Sequence, residues 1–165
     1  MLGLGAMGCT HVGAAWASPH VRNIYGYEPD PARAALRGKE LGVKATSDLD
    51  SILNNPEIKL ISIATINSVH AELTIKSLRA GKAVLCEKPM AENLEDARKM
   101  IKVEKETGKF LQIGFELRYS KIYMKVKEWI DQGLIETPVN CHGRYYCSEF
   151  HFKNTDRIFN KTFGF

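Results

Sequence analysis

Gly3-Leu4-Gly5-Ala6-Met7-Gly8 decides the fold: the chain spells G-x-G-x-x-G within its first eight residues, and Glu28 follows 20 positions after Gly8. Each glycine has its own task in such a turn. The first permits a tight reversal from strand to helix, the second lets a diphosphate approach the backbone, and the third lets the helix pack closely on the sheet. The open amides and positive end of the helix that follows suit a phosphate. A carboxylate at the Glu28 spacing accepts hydrogen bonds from the adenosine ribose of a dinucleotide. The glycines alone are a weak signal. Their pairing with an acid, across one helix and one strand, is what points to a dinucleotide.

Ahead of the glycines stand only Met1 and Leu2. In the strand order 3-2-1-4-5-6 the first strand is central, and four or five apolar side chains buried there at roughly 1.5–3 kcal/mol each would contribute about 6–15 kcal/mol. That rivals the ~5–15 kcal/mol stability of a whole domain. The expectation is a first strand cut short and a marginally folded domain.

Beyond the glycines the chain alternates helix and strand. Apolar and small residues predict a helix over 9–18, ended by Pro19, then a strand over 21–27. Pro29-Asp30-Pro31 opens a helix that Gly42 stops, followed by a strand over 43–46 and a short helix capped by Ser47 or Asp48. Residues 58–65 form an apolar run suited to a parallel strand covered on both faces. A helix over 67–80 with Ala71, Ile75 and Leu78 inward leads to a strand over 83–86. Asn93 caps a helix carrying Leu94, Ala97, Met100 and Ile101 on one side, Gly108 ends it, and a strand over 110–115 follows. A helix over 120–132 then presents Ile122, Val126, Trp129 and Ile130. This alternation predicts the α/β class, a doubly wound parallel (Rossmann) sheet. Residues 138–150 alternate instead with period two, as the opening strand of a second, α+β domain would. Residues 151–165 have no period. The predicted division is 1–119 for the dinucleotide-binding domain and 120–165 for the connecting helix and the start of the next.

Composition narrows the alternatives. The chain has 165 residues, 44% of them hydrophobic and 25% charged, within the range of one ordinary globular domain. Its 23 basic and 19 acidic residues are interspersed, which argues against a nucleic-acid or membrane footprint. No apolar stretch reaches the length of a membrane span and no export signal is visible, so a cytoplasmic location is expected. Cys9, Cys86, Cys141 and Cys147 form no C-x-x-C pair, and no histidines stand at ligand spacing beside them. Cys141 and Cys147 would lie on one face of one strand about 20 Å apart, too far to bridge. Free thiols and no metal site are expected.

Open parallel sheets bind ligands at the carboxyl ends of their strands, so the loops after the strands carry the chemistry. They are Thr65-Ile66-Asn67-Ser68-Val69-His70, Glu87-Lys88-Pro89-Met90 and Glu116-Leu117-Arg118-Tyr119. With these loops in view, the chain resembles the glucose-fructose oxidoreductase, inositol dehydrogenase and rhizopine-catabolism family of NAD(P)-dependent oxidoreductases, from Gly3 to about Tyr146. The resemblance is carried by Gly3 to Gly8, Asn67-Ser68-Val69-His70-Ala71-Glu72, Ala80-Gly81-Lys82, Val84-Leu85-Cys86-Glu87-Lys88-Pro89-Met90-Ala91, Gly114-Phe115 and Arg118-Tyr119.

The resemblance implies hydride transfer between a nicotinamide cofactor and a sugar, polyol or related hydroxyl or carbonyl substrate. Lys88 would be the catalytic residue, its ammonium orienting the reacting hydroxyl and favouring negative charge on its oxygen. Gly3, Gly5, Ala6, Met7 and Gly8 would hold the diphosphate. Thr65, Asn67 and His70 would line the groove, Glu87 would lie beside the nicotinamide ribose, and Pro89 matches a cis proline. Arg118 matches an arginine near the domain junction. Two positions depart from the family's habit: Ile66 stands where proline is common and Glu116 where asparagine is common. Glu28 favours NAD over NADP, because a carboxylate accepts from a 2′-hydroxyl and repels a 2′-phosphate, while Arg33 can soften that choice by pairing with phosphate.

Family members continue into a mostly antiparallel sheet bearing an aspartate and an acid/base histidine. Neither His142 nor His151 matches that histidine's context, so an incomplete catalytic apparatus is expected, and with it homo-oligomers only where the second sheet is present. The alternatives are a dinucleotide-binding module without catalysis, or a gene remnant.

Overall fold

The computed structural model describes residues 1–144 and Tyr146. The chain divides into two compact units, Met1–Gly114 and Phe115–Phe165. The first carries α1 (Ala6–Trp16), β1 (Tyr25–Tyr27), α2 (Pro31–Leu41), β2 (Lys44–Thr46), α3 (Leu49–Leu53), β3 (Leu60–Ile63), α4 (His70–Arg79), β4 (Ala83–Cys86), α5 (Leu94–Thr107) and β5 (Leu111–Ile113). The second opens with a 3-10 turn, Glu116–Tyr119, followed by α6 (Lys121–Asp131).

Every strand pairing in the first unit is parallel: β1 with β2, β3 with β4, and β4 with β5. Met1 to Gly3 thread between the two groups. The Leu2 amide donates to the Ser62 carbonyl at 2.7 Å and the Ala64 amide to the Leu2 carbonyl at 2.9 Å; on the other side Tyr27 donates to Met1 and Gly3 to Tyr27, each at 2.9 Å. Leu2 thereby bridges both Tyr27 and Ile63 in parallel sense and is itself 0% exposed. The order is β2-β1-Leu2-β3-β4-β5, the doubly wound arrangement with a very short central strand.

Apolar clusters lie on both faces of this sheet. One joins Leu2, Ile61, Ile63 and Val84 to Leu73 and Leu78 of α4 and to Met100 and Val103 of α5. A smaller one joins Val12 of α1 to Ile24 and Val43. Local signals place the helices. Asp30 accepts from the Ala32 and Arg33 amides at the head of α2, Gly42 closes it in the left-handed region at φ +65°, and Asp48 rather than Ser47 caps α3. The Asn93 side chain caps α5, and Gly108 at φ +62° ends it.

Several expectations shift. Helix α1 begins at Ala6, three residues before the predicted start, because Gly5 is extended and the next residue already turns. Residues 21–24 are not strand; β1 is only Tyr25–Tyr27, the length that can pair with β2 on one side and the Met1–Gly3 segment on the other. The strand within 58–65 is fully covered on one face, where Ile61 and Ile63 are buried, and only partly on the other, where Ser62 is half-buried beneath His11 of α1 and Leu60 is 58% exposed. On α5 the inward stripe is Met100 and Val103, which i, i+3 spacing brings into line, while Leu94 and Ile101 are exposed. The described residues of 138–144 form no strand, and Val139 is 98% exposed, since a strand requires a ladder partner as well as an alternating pattern. The remainder of that predicted strand, apart from Tyr146, and all of 151–165 lie outside the described residues. On α6 Ile122, Val126 and Trp129 are exposed and no residue is buried.

The core makes one thiol inert. Burial pushes the Cys86 thiol up to about 11, against an ordinary value of about 8.5. Cys9 is half-buried and Cys141 exposed, both free. Alkylation at pH 8 is expected to modify Cys141 rapidly and Cys86 only after unfolding; equal rates would contradict the packing. The folded state keeps a proton that the unfolded chain releases, so Cys86 leaves stability intact below about pH 8.5 and erodes it as pH rises towards 11, at about 1.4 kcal/mol per unit. The melting advantage of wild type over Cys86→Ala is expected to shrink across that range.

Candidate functional site: the carboxyl rim of the sheet

Because all strands of the first unit run parallel, their carboxyl ends share one rim, and the residues singled out for chemistry in that unit stand there or just beneath it. Gly3 is at φ +85°, and a Cβ on it would come within 2.6 Å of the Ala64 carbonyl oxygen. A Cβ on Gly8 would stand 2.0 Å from the Gly3 oxygen. Gly5 is different: its added Cβ would meet nothing within 4 Å. Two of the three glycines are therefore demanded by the backbone around them, and the third keeps open space in front of it.

That space is electropositive by construction. The first helical bond of α1 runs from Cys9 N–H to Gly5 O at 2.9 Å, so the amides of Ala6, Met7 and Gly8 precede the i to i−4 ladder. No acidic residue lies in the first turn to neutralise the dipole, and Met7 is exposed. An anion fits such a cradle, because the glycine leaves room and the amides supply donors. From the neighbouring helix, Arg37 Nε donates to the Leu4 carbonyl at 3.0 Å and holds the turn from behind.

Glu28 follows β1 and is 7% exposed; its amide donates to Thr46 O at 3.1 Å. Its carboxylate has Arg33 Nη2 3.7 Å away, a loose pairing with a largely exposed guanidinium. Asp30 is committed to capping α2, which leaves Glu28 as the carboxylate at the end of β1 with acceptor capacity to spare.

After β4 comes Glu87-Lys88-Pro89. Lys88 is exposed and the Lys88–Pro89 peptide is cis, as the resemblance implies. Both neighbours of Lys88 are anchored. Glu87 is 8% exposed: its amide donates to Ile63 O at 2.9 Å, one carboxylate oxygen lies 3.0 Å from His11 Nε2, and the other accepts from the Lys88 amide at 3.3 Å. A Cβ on Gly114 would come 3.0 Å from that carboxylate, so the glycine after β5 makes room for it.

His70 sits lower than the resemblance implies. It is 1% exposed, beneath the rim: Nδ1 lies 2.8 Å from the Pro89 carbonyl, the shorter contact and the one the single N–H of a neutral imidazole serves, and Nε2 stands 3.3 Å from the Thr65 carbonyl. The reason is helical geometry: His70 is the first residue of α4 and turns inward with Ala71 and Thr74. Thr65 and Asn67 are half-buried at the end of β3, where the Thr65 methyl contacts the Gly3 position. Arg118 belongs to the second unit, where its guanidinium stands 5.2 Å over the Phe115 ring.

Two residues were missed from sequence. His11 Nδ1 is 2.7 Å from Ser62 Oγ, and its Nε2 reaches Glu87. The signal was present: Gly8, His11 and Val12 stand at i, i+3 and i+4, so one face of α1 carries all three towards the sheet. A cavity of about 870 Å³ lies on the sheet face beside α1, lined by Val12, Val21, Tyr25, Leu60 and Leu85 among others. Its walls are mostly apolar but also carry His11, Ser62, Glu57 and Lys59, and they include neither the glycine turn nor Lys88, so the rim remains the stronger candidate. Among the described residues no group of three or more acidic, histidine or cysteine side chains is arranged for a metal, and no helix is long and apolar enough to cross a membrane.

Comparison with known proteins agrees with this geometry. Residues 1–115 match the model of the glucose-fructose oxidoreductase, inositol dehydrogenase and rhizopine-catabolism group, described as an oxidoreductase family with an NAD-binding Rossmann fold. Inositol 2-dehydrogenase of Salmonella typhimurium is 37% identical over 116 residues, which are 70% of this chain and 34% of that protein. scyllo-Inositol 2-dehydrogenase (NAD(+)) of Bacillus subtilis is 33% identical over 145 residues, 87% of this chain and 42% of that protein. The solved structure of levoglucosan dehydrogenase in complex with NADH and levoglucosan superposes with a TM-score of 0.76 at 31% identity, covering 82% of this chain and 39% of that one. The chain thus spans roughly 34–42% of the length of these relatives. A parallel sheet wound about a glycine turn, an acid after β1, a cis Lys88–Pro89 turn and a family match over residues 1–115 together establish that the chain belongs to this oxidoreductase family with the NAD-binding Rossmann fold.

Proposed function

We propose that the first unit binds a nicotinamide dinucleotide, NAD in preference to NADP, and serves an oxidoreductase acting on a hydroxyl or carbonyl carbon of a sugar or polyol. The observation that carries this reading is the common rim: an unneutralised helix N-terminus behind an open Gly5, a buried carboxylate at Glu28 and an exposed ammonium at Lys88 follow three strands of one parallel sheet. The names of the relatives, inositol dehydrogenases and a levoglucosan dehydrogenase solved with NADH, support the substrate class.

The bound nicotinamide supplies the chemistry of accepting or returning a hydride. The chain's own residues do the rest. The Ala6 and Met7 amides bind the diphosphate, and Glu28 accepts from ribose hydroxyls while disfavouring a 2′-phosphate. Lys88 would hold the reacting oxygen of the substrate and favour negative charge on it, while the proton acceptor is left to the acid/base histidine that the family carries in its second domain. Its anchored neighbours hold the turn while the lysine side chain itself stays free to reach.

Calorimetry with NAD+ and NADP+ tests the reading. Wild type is expected to prefer NAD+ by about tenfold or more, and Glu28→Ala to lose about tenfold of NAD+ affinity and most of that preference. Arg33→Ala is expected to leave NAD+ binding nearly unchanged. Absence of binding by folded protein, or unchanged preference in Glu28→Ala, would refute it.

A further inference from the structure

We propose that His11 is a positioning residue, which, held by Ser62, fixes the Glu87 carboxylate and through it the turn that presents Lys88. The chain of contacts is continuous: Ser62 Oγ to His11 Nδ1 at 2.7 Å, His11 Nε2 to Glu87 Oε1 at 3.0 Å, and the Lys88 amide to Glu87 Oε2 at 3.3 Å. The His11 and Glu87 side chains are only 17% and 11% exposed.

Chemistry gives the arrangement a direction. A hydroxyl donating to Nδ1 leaves the proton of a neutral imidazole on Nε2, where it donates to the carboxylate, so one tautomer satisfies both contacts. A carboxylate this far out of water needs partners, and the missing Cβ of Gly114 leaves room for it to stand where His11 and the Lys88 amide reach it. Without His11, the Glu87 carboxylate loses its side-chain partner and turns towards water, drawing away from the Lys88 amide and loosening the start of the turn. On the other side His70 holds Pro89 O. Lys88 therefore projects between two neighbours pinned by two different histidines.

Position along α1 adds a consequence that rests on the nicotinamide-dinucleotide reading. His11 lies one helical turn after Gly8. The helix whose first amides face the central diphosphate thus also fixes the turn at the nicotinamide end of the ligand, and His11 acts on that end alone.

Two measurements on the full chain test this. Without ligand, amide hydrogen exchange is expected to accelerate at Lys88 in His11→Ala, with the Cys9 amide unchanged; Ser62→Ala should produce a smaller change at Lys88, and His11→Gln, which can still donate to the carboxylate, should partly restore protection. With ligand, His11→Ala is expected to weaken NADH about tenfold and to leave ADP, which lacks the nicotinamide riboside, binding as in wild type. Unchanged exchange at Lys88, or equal weakening of NADH and ADP, would overturn the proposal. Failure of wild type to bind either ligand would refute the dinucleotide reading and leave the exchange comparison to decide the role of His11. Should His11→Ala fail to fold, Ser62→Ala and His11→Gln carry both measurements.

Discussion

Replacing Gly8 with alanine is expected to lower the stability of the first unit by more than about 3 kcal/mol, at the upper end of what overpacking by one methyl costs. The added Cβ would sit 2.0 Å from the Gly3 carbonyl oxygen and 3.0 Å from its carbon, and both are backbone atoms. Neither can yield cheaply. Gly3 is itself locked at φ +85° against Ala64, and its amide is bonded to Tyr27 in the centre of the sheet. Relief would require α1 to lift away, which would uncover Val12 and break the packing around Leu2 and Leu4, all nearly fully buried. Against a total of about 5–15 kcal/mol for a domain, the loss is a large fraction. Urea titration followed by circular dichroism reads it directly. A midpoint equal to that of wild type would mean that helix and turn are not in contact as described.

Gly5→Ala is expected to do the opposite: fold normally and fail to bind. Gly5 is extended at φ −75°, and its added Cβ would touch nothing within 4 Å, so the stability change should stay within about 1 kcal/mol. The methyl would nevertheless occupy the space in front of the Ala6 and Met7 amides, which the diphosphate has to enter. Losing one or two charge-assisted hydrogen bonds at about 1.5–3 kcal/mol each weakens the dinucleotide at least about tenfold and as much as about ten-thousandfold. Melting and calorimetry on the same sample separate the two effects. Unchanged affinity would show that the open space at Gly5 is not the path of the ligand. The two substitutions add the same atom three residues apart and are expected to fail in different assays, which sequence spacing alone could not foretell.

What the sequence made legible was whatever one local residue decides. Asp30, Pro31, Gly42, Asn93 and Gly108 cap or stop their helices at the expected places, and the apolar run with Ile61 and Ile63 is a strand. The glycine turn and Glu28 could be assigned because their spacing reflects one βαβ unit. Less legible was anything that depends on a partner distant in the chain. Residues 21–24 look like strand and are not, because β1 extends only as far as its neighbours pair with it. Leu94 belongs to an apolar pattern yet is exposed, because burial on α5 depends on which of its residues meet the neighbouring elements. The alternation after Pro138 describes a half-covered strand, and the described residues there have no ladder to join.

Within the site the same division holds. Lys88, Glu87 and Pro89 were found from their motif, but the side-chain partner of Glu87, His11, lies 76 positions away in sequence and is itself held by Ser62. His70 was found from its motif too, yet its placement beneath the rim follows from two carbonyls, those of Thr65 and Pro89, that no side-chain pattern reveals.

The central claim is that one dinucleotide spans the rim from the glycine turn to Lys88. Titrating the isotope-labelled chain with NADH and following backbone amide resonances tests it most directly. The account predicts that Ala6 and Met7 shift together with Glu28 and with Lys88 at a single affinity, while α5 amides such as Val103 stay still. Shifts confined to the cavity beside α1, or a response at the glycine turn with none at Lys88, would contradict it.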